Sequence, residues 1–213
     1  MMKSTYILFA LFFLFAITTT LPSATATVLD TDGYPLGNVF TEGIKDIGGG
    51  IELAKTGNDT CPLTIVQSPS KVSNGLPTII TSKLSIGSIK EGLPLDLLFS
   101  DNDVPFCSPV PSKWSIVKDD LEKWSVKLAP YYSTREAYFY IENVNLNNYK
   151  LGFRSLSSTL SGDIGIYIDN DGTRRLVLTE NNNPFLVQFQ SAYDSSLAAR
   201  RIKNGKIAFP HSG

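Results

Sequence analysis

The sequence predicts an all-β fold, a barrel or a sandwich, on three observations. Short runs rich in Val, Ile, Leu, Phe and Tyr recur along the chain, several alternating apolar and polar residues with period two. Clusters of Gly, Pro and Asn separate them, as turns require. No long stretch places apolar residues at i, i+3, i+4 and i+7 between helix caps.

In chain order the runs begin with Leu63-Thr64-Ile65-Val66, Thr78-Ile79-Ile80 and Leu95-Asp96-Leu97-Leu98-Phe99. Trp114-Ser115-Ile116-Val117 and Trp124-Ser125-Val126-Lys127-Leu128 follow, then the aromatic-rich Ala137-Tyr138-Phe139-Tyr140-Ile141 and Tyr149-Lys150-Leu151-Gly152-Phe153. Ile164-Gly165-Ile166-Tyr167-Ile168 and Arg175-Leu176-Val177-Leu178 flank Asp169-Asn170-Asp171-Gly172, a strong hairpin signal. Phe185-Leu186-Val187-Gln188-Phe189 comes last. Strands this short with irregular connections suit one β domain.

Three segments also echo one another, each placing Pro shortly before a strand that ends near Val66, Val117 or Val187. About three units of some 60 residues would fill the chain. Three-fold repetition of a four-stranded unit is what a β-trefoil requires, a six-strand barrel capped by three hairpins that leaves no sheet edge free. A plain sandwich is the alternative.

Composition narrows the function classes. Lys and Arg total 19 against 20 Asp and Glu, a net charge of −1, too weak a field to draw nucleic acid or an acidic membrane. The single histidine, His211, is third from the C-terminus, so a Ser-His-Asp or Cys-His pair or an imidazole zinc site would rest on a tail residue. No enzyme activity, metal or cofactor is expected.

Residues 1–26 read as a secretory signal peptide: Lys3, the apolar run Tyr6 to Ile17, Pro22, and a small-residue end at Ala24-Thr25-Ala26. The run is shorter than a membrane span needs, and cleavage after Ala26 leaves residues 27–213 as one domain. A retained anchor is the alternative; otherwise no membrane partner is expected. In an oxidising compartment Cys61 and Cys107 form a bridge worth roughly 4 kcal/mol, the alternative being two buried thiols. Asn58-Asp59-Thr60 is a glycosylation sequon on a polar loop. The basic run Arg200 to Lys206 reads as a solvated tail.

Many ordered blocks share one likeness. They include Val28-Leu29-Asp30-Thr31-Asp32-Gly33-Tyr34-Pro35-Leu36, Thr56-Gly57-Asn58, Cys61-Pro62-Leu63-Thr64-Ile65-Val66-Gln67 and Glu91-Gly92-Leu93-Pro94-Leu95. Further along come Trp114-Ser115, Asn148-Tyr149-Lys150-Leu151, Gly162-Asp163-Ile164-Gly165-Ile166, Asp171-Gly172-Thr173-Arg174-Arg175-Leu176-Val177 and Val187-Gln188-Phe189-Gln190. Together they resemble the plant Kunitz-type (soybean trypsin inhibitor) family. The resemblance implies a β-trefoil and a monomeric inhibitor of serine proteases, secreted to the extracellular space or held in the vacuole. Such an inhibitor offers a protease an exposed, substrate-like loop, here within Thr81 to Lys90. Aligned without gaps, Lys83, Leu84, Ser85, Ile86 and Gly87 form its centre. Ser85 then takes the primary-specificity position, and Ile86 follows the would-be scissile bond. Asn38 falls on the framework Asn that braces the loop from inside.

Departures from the family pattern matter as much. The family's trypsin inhibitors carry Arg or Lys where this chain has Ser85, and a trypsin-type pocket ends in a carboxylate. Tight trypsin inhibition through Ser85 is therefore not expected; a small side chain suits an elastase-like or subtilisin-like pocket. A register shifted to Leu84 or Lys83 gives chymotrypsin-like or trypsin-like behaviour, and other protease classes are an alternative partner. Gly87 raises the entropy lost on docking. The usual second disulfide is replaced near Arg154 and Ser161, so that loop is expected to be more mobile. Asn38 to Gly43 is short and lacks the family's Tyr pair. Two other functions are weighed: a non-inhibitory binding, storage or defence protein on the same fold, and a glycosidase using carboxylates such as Asp163 and Asp169.

Overall fold

The structure is a computed structural model that describes residues 25–37, 40–46, 48–101, 103–104, 113–128, 137–179 and 183–191. The signal segment up to residue 24, Asn38, Cys107, the Arg200 to Lys206 run and His211 lie outside the described residues.

Six strands close on themselves, each pair antiparallel. β1 (Phe40–Asp46) pairs with β4 (Pro77–Ser82), β4 with β5 (Leu95–Phe99), and β5 with β8 (Ala137–Asn145). β8 pairs with β9 (Asn148–Ser155), β9 with β12 (Leu186–Ser191), and β12 returns to β1. The remaining strands form three hairpins: β2 (Gly49–Ala54) with β3 (Thr64–Gln67), β6 (Trp114–Lys118) with β7 (Trp124–Leu128), and β10 (Ser161–Ile168) with β11 (Arg174–Leu178). One strand of each hairpin meets the other two, β3 on β7, β7 on β11 and β11 on β3. A six-strand barrel capped by three mutually paired hairpins is a β-trefoil.

Alternation fills the barrel. Along β5, Leu95, Leu97 and Phe99 are buried while Asp96 and Leu98 are half-buried, the pattern of a strand with one face inward. Phe139, Ile141, Leu151, Phe153, Val187 and Phe189 join them, with the Trp114 ring tilted 5.3 Å from Phe99 and edge-on 6.3 Å from Phe139. Tyr149 is buried against Phe189, and its hydroxyl accepts the Leu29 N–H at 2.9 Å, so the polar tip of the ring is used. Cys61 is buried and disulfide-bonded.

The mutually paired strands β3, β7 and β11 are every fourth strand, so the four-stranded unit expected from sequence is present three times. The residues of the echo are not its equivalents: Val66, Val117 and Val187 lie on β3, β6 and β12. Proline is tolerated where a strand begins, so a proline ahead of a strand does not mark equivalent positions of a repeat. A truer repeat lies in three turns. Asp30, Asp119 and Asp169 each donate their N–H to the carbonyl four residues on (Tyr34 2.9 Å, Lys123 2.8 Å, Thr173 2.8 Å). Each also accepts, on its own carbonyl, the N–H three residues on (Gly33 3.1 Å, Glu122 3.1 Å, Gly172 3.0 Å). That third residue is left-handed in all three turns, with φ of 83°, 58° and 88°. Gly33 and Gly172 adopt it freely; Glu122 does not. Glu122→Gly is expected to stabilise the fold by about 0.5–1 kcal/mol, read as a melting temperature raised by about 1–3 °C.

The sequence reading did not foresee β1 and β2. Their glycines resemble loop punctuation, but Gly49 and Gly50 are there for close approach. A Cβ on Gly50 would lie 2.1 Å from the Asn74 carbonyl carbon, so the strand fits beneath that segment only without a side chain. The β9–β10 turn is closed by the Arg154↔Ser161 pair and by Ser155 N–H donating to Leu160 O at 2.9 Å.

Candidate functional site

The connection from β4 to β5 leaves the barrel between two fixed feet. At the entry, Ser82 pairs with Leu95, and Lys83 N–H donates to Pro94 O at 3.0 Å. At the exit, Ser88 pairs with Gly37 and Lys90 with Thr27. Ile89 is fully buried; its N–H donates to Leu36 O at 2.8 Å and its carbonyl accepts the Val28 N–H at 3.1 Å. Lys90 Nζ donates to Thr27 Oγ1 at 2.5 Å, and Glu91 N–H to Ala26 O at 2.9 Å. Buried Val28 and Leu36 thus make the N-terminal segment a clamp on the returning limb. This clamp is the part of the site that sequence reasoning missed; local sequence offers no signal that Val28 and Ile89 meet.

Between the feet the loop faces solvent. Leu84 is 44% exposed, Ser85 and Gly87 are exposed, and Ile86 is half-buried. Leu84 N–H donates to Ser82 Oγ at 3.1 Å, and Ile86 N–H donates to Leu84 O at 2.8 Å. That second bond closes a three-residue turn with Ser85 at its apex. The stretch therefore stands off the barrel but is not extended throughout, because it bends at Ser85. Lys83 behaves differently: its Nζ donates to Ala137 O at 2.8 Å and lies 3.4 Å from Asp96 Oδ1. Gly87 has no steric need to be glycine, since a Cβ there would meet nothing within 4 Å and its φ is not left-handed.

A loop held at both ends over a trefoil body is the arrangement the family likeness implies. The profile of the Kunitz legume family, described as trypsin and protease inhibitors, matches residues 28–191. The chain belongs to that family. Trypsin inhibitor A of Glycine max is 45% identical over 211 residues, covering 93% of this chain and 96% of that protein. The soybean trypsin inhibitor in its complex with porcine pancreatic trypsin superposes with a TM-score of 0.71 at 43% identity, covering 78% of this chain and 99% of that one. Winged bean albumin 1 superposes with a TM-score of 0.65 at 28% identity, covering 78% and 98%. The Kunitz legume family consists of inhibitors rather than enzymes.

The other candidate residues of this Kunitz chain fall elsewhere. Asn58 is exposed beside Gly57, which has a φ of 54° and where a Cβ would lie 2.1 Å from Asp120 Oδ2. Its neighbour Asp59 is held by Lys127 Nζ at 2.8 Å and by the hydroxyls of Thr56 and Thr64. Asp163 and Asp169, weighed as glycosidase acids, each face a cation: Lys150 Nζ lies 3.1 Å from Asp163 and Arg175 Nε 2.6 Å from Asp169. Carboxylates neutralised in this way are structural. Among the described residues no group of three or more His, Cys, Asp or Glu side chains could hold a metal ion.

Proposed function

We propose that this Kunitz chain inhibits serine proteases by docking the Lys83 to Gly87 loop as a substrate-like bait, with Ser85 entering the primary pocket and Ile86 following the scissile bond. The observation that carries the reading is an exposed tip between two pinned feet. Docking costs less when the loop is already ordered, because little conformational entropy remains to be lost. Main-chain hydrogen bonds then supply affinity and one pocket side chain supplies selectivity. The Lys83 ammonium is bonded to the body, which supports Leu84 or Ser85, not Lys83, as the residue presented. A small Ser85 favours elastase-like and subtilisin-like pockets over a trypsin-like one. Relatives named trypsin inhibitors support serine proteases as the partner class.

The test is a panel of trypsin, chymotrypsin, elastase and subtilisin. Inhibition of elastase or subtilisin with a constant at least about 100-fold tighter than for trypsin is expected from the missing cation. Equal weakness against all four would overturn the reading. Gly87 favours a second reading, a non-inhibitory binding or storage protein, because a glycine that no contact requires leaves the tip looser than a bait needs.

The same proposal takes residues 1–26 as a removed signal, Asn38 as a brace behind the loop, Cys61–Cys107 as the bridge and Asn58 as a glycan site on a secreted or vacuolar monomer. Intact mass and N-terminal sequencing of protein collected from a secreting host read these processing steps together. The expected product begins at Thr27, carries an amidase-removable glycan and gains no mass from a thiol-alkylating reagent unless it is first reduced. A retained N-terminus would refute the signal, and an unglycosylated mass would refute the glycan.

A further inference from the structure

Lys83 stands two residues before Ser85, at the point where the chain leaves the barrel. Its ammonium reaches back to two separate strands: the carbonyl of Ala137, the first residue of β8, at 2.8 Å, and Asp96 Oδ1 on β5 at 3.4 Å. Asp96 is itself held, since Lys113 Nζ lies 2.9 Å from the same oxygen, and its main chain pairs with Thr81 of β4. A main-chain bond from Lys83 N–H to Pro94 O and a bond from Leu84 N–H to the Ser82 hydroxyl flank this contact. The exit limb, by contrast, is clamped by the N-terminal segment.

We propose that Lys83 is a positioning residue of the inhibitory loop, its ammonium tying the entry limb to Asp96 and Ala137 so that Leu84 and Ser85 are held in docking posture. The proposal deepens the inhibitor reading and rests on it. The Lys83 and Asp96 side chains are 36% and 23% exposed, so the pair adds little to folding stability. Its effect lies in the loop. A tethered limb has fewer conformations to lose on docking, and it keeps the new ends in register if the protease cuts slowly. The role also draws the one cation of the Lys83 to Gly87 stretch back onto the body, away from a docking protease.

The experiment compares wild type with Lys83→Met, which keeps the stem and removes the ammonium, Lys83→Arg, which keeps a cation, and the pair Lys83→Met with Asp96→Asn. Two readouts are taken: the inhibition constant for whichever panel protease is inhibited best, and amide exchange at Leu84 and Ile86. Lys83→Met is expected to weaken inhibition and to speed exchange, each by about tenfold, with the melting temperature moved by no more than about 2 °C. Lys83→Arg should restore both, and adding Asp96→Asn to Lys83→Met should change neither by more than about twofold, since the interaction is already gone. Inhibition and exchange both unchanged in Lys83→Met would overturn the tether. So would selective loss of trypsin inhibition with cleavage mapped after residue 83, which would make Lys83 the pocket residue. If wild type inhibits no protease, the inhibitor reading fails by itself. The exchange readout then still decides whether Lys83 orders the limb: faster exchange supports it and unchanged exchange refutes it.

Discussion

Ser85→Arg is expected to turn the protein into a trypsin inhibitor, tightening that complex by about 100- to 1,000-fold, or roughly 3–4 kcal/mol. Ser85 is exposed at the apex of its turn, so a longer side chain meets no neighbour in the body and the fold should be undisturbed. The gain comes from the enzyme's side. A trypsin-type pocket ends in a buried carboxylate, and a serine leaves it without a cation, whereas a guanidinium pairs with it through two parallel hydrogen bonds. The same change should weaken inhibition of an elastase-like enzyme, whose pocket is too small for arginine. Inhibition constants for both enzymes against both proteins measure it. A correctly folded Ser85→Arg protein that ignored trypsin would mean that the Lys83 to Gly87 loop does not reach the cleft.

The second large effect concerns the body that carries the loop. Arg175 on β11 is 3% exposed and binds three carboxylates: Asp169 through Nε at 2.6 Å, and Asp119 and Asp120 through one terminal nitrogen, each at 3.1 Å. Asp119 follows β6 and Asp169 follows β10, so this guanidinium joins the tips of two capping hairpins. Arg175→Met removes the cation while keeping most of the volume, and it leaves the Asp119 and Asp169 carboxylates, 0% and 10% exposed, without their cation. A loss of about 3–5 kcal/mol is expected at neutral pH, or a melting temperature lower by about 6–20 °C.

The pH dependence carries a definite sign. Burial pushes the Asp119 carboxyl up, but the Ser125 hydroxyl at 2.5 Å, the N–H groups of Lys123 and Leu121, and Arg175 together hold it below its ordinary value of 3.8. A carboxyl depressed in the folded state stabilises the protein above its unfolded value, and that contribution is lost as pH falls through the folded one. Without Arg175 one of the causes that lower the Asp119 carboxyl is gone, so wild type loses more stability to acid than the variant does. The gap in melting temperature between the two is therefore expected to narrow as pH is lowered from about 3.8 through the depressed Asp119 value. A gap that stayed constant over that range would show that lost packing, and not charge, dominates.

How much of this could be read in the sequence depends on whether the signal was local. The β5 alternation Leu95, Leu97, Phe99 and the Asp169 to Gly172 turn are visible within a few residues, and both stand in the structure as expected. β1 and β2 were hidden because Gly43, Gly49 and Gly50 look like loop residues, and only the segment crossing at Asn74 shows why Gly50 stands in a strand. The loop was legible only through family resemblance, which located the tip but not its supports. Lys83 and Ala137 are 54 residues apart and Arg175 and Asp119 are 56 apart, and periodicity carries no information over such spans. The clamp of Val28 on Ile89 is hidden for the same reason: an apolar residue near a chain start has no local mark of its partner.

The most direct measurement is a map of the slow cleavage that accompanies inhibition in the protease panel, made by N-terminal sequencing and mass spectrometry of the inhibitor recovered from the complex. The account predicts one cut, between Ser85 and Ile86, accumulating slowly while inhibition persists. Cleavage confined to sites outside residues 83–87, with inhibition unaffected by Ser85→Arg, would contradict it.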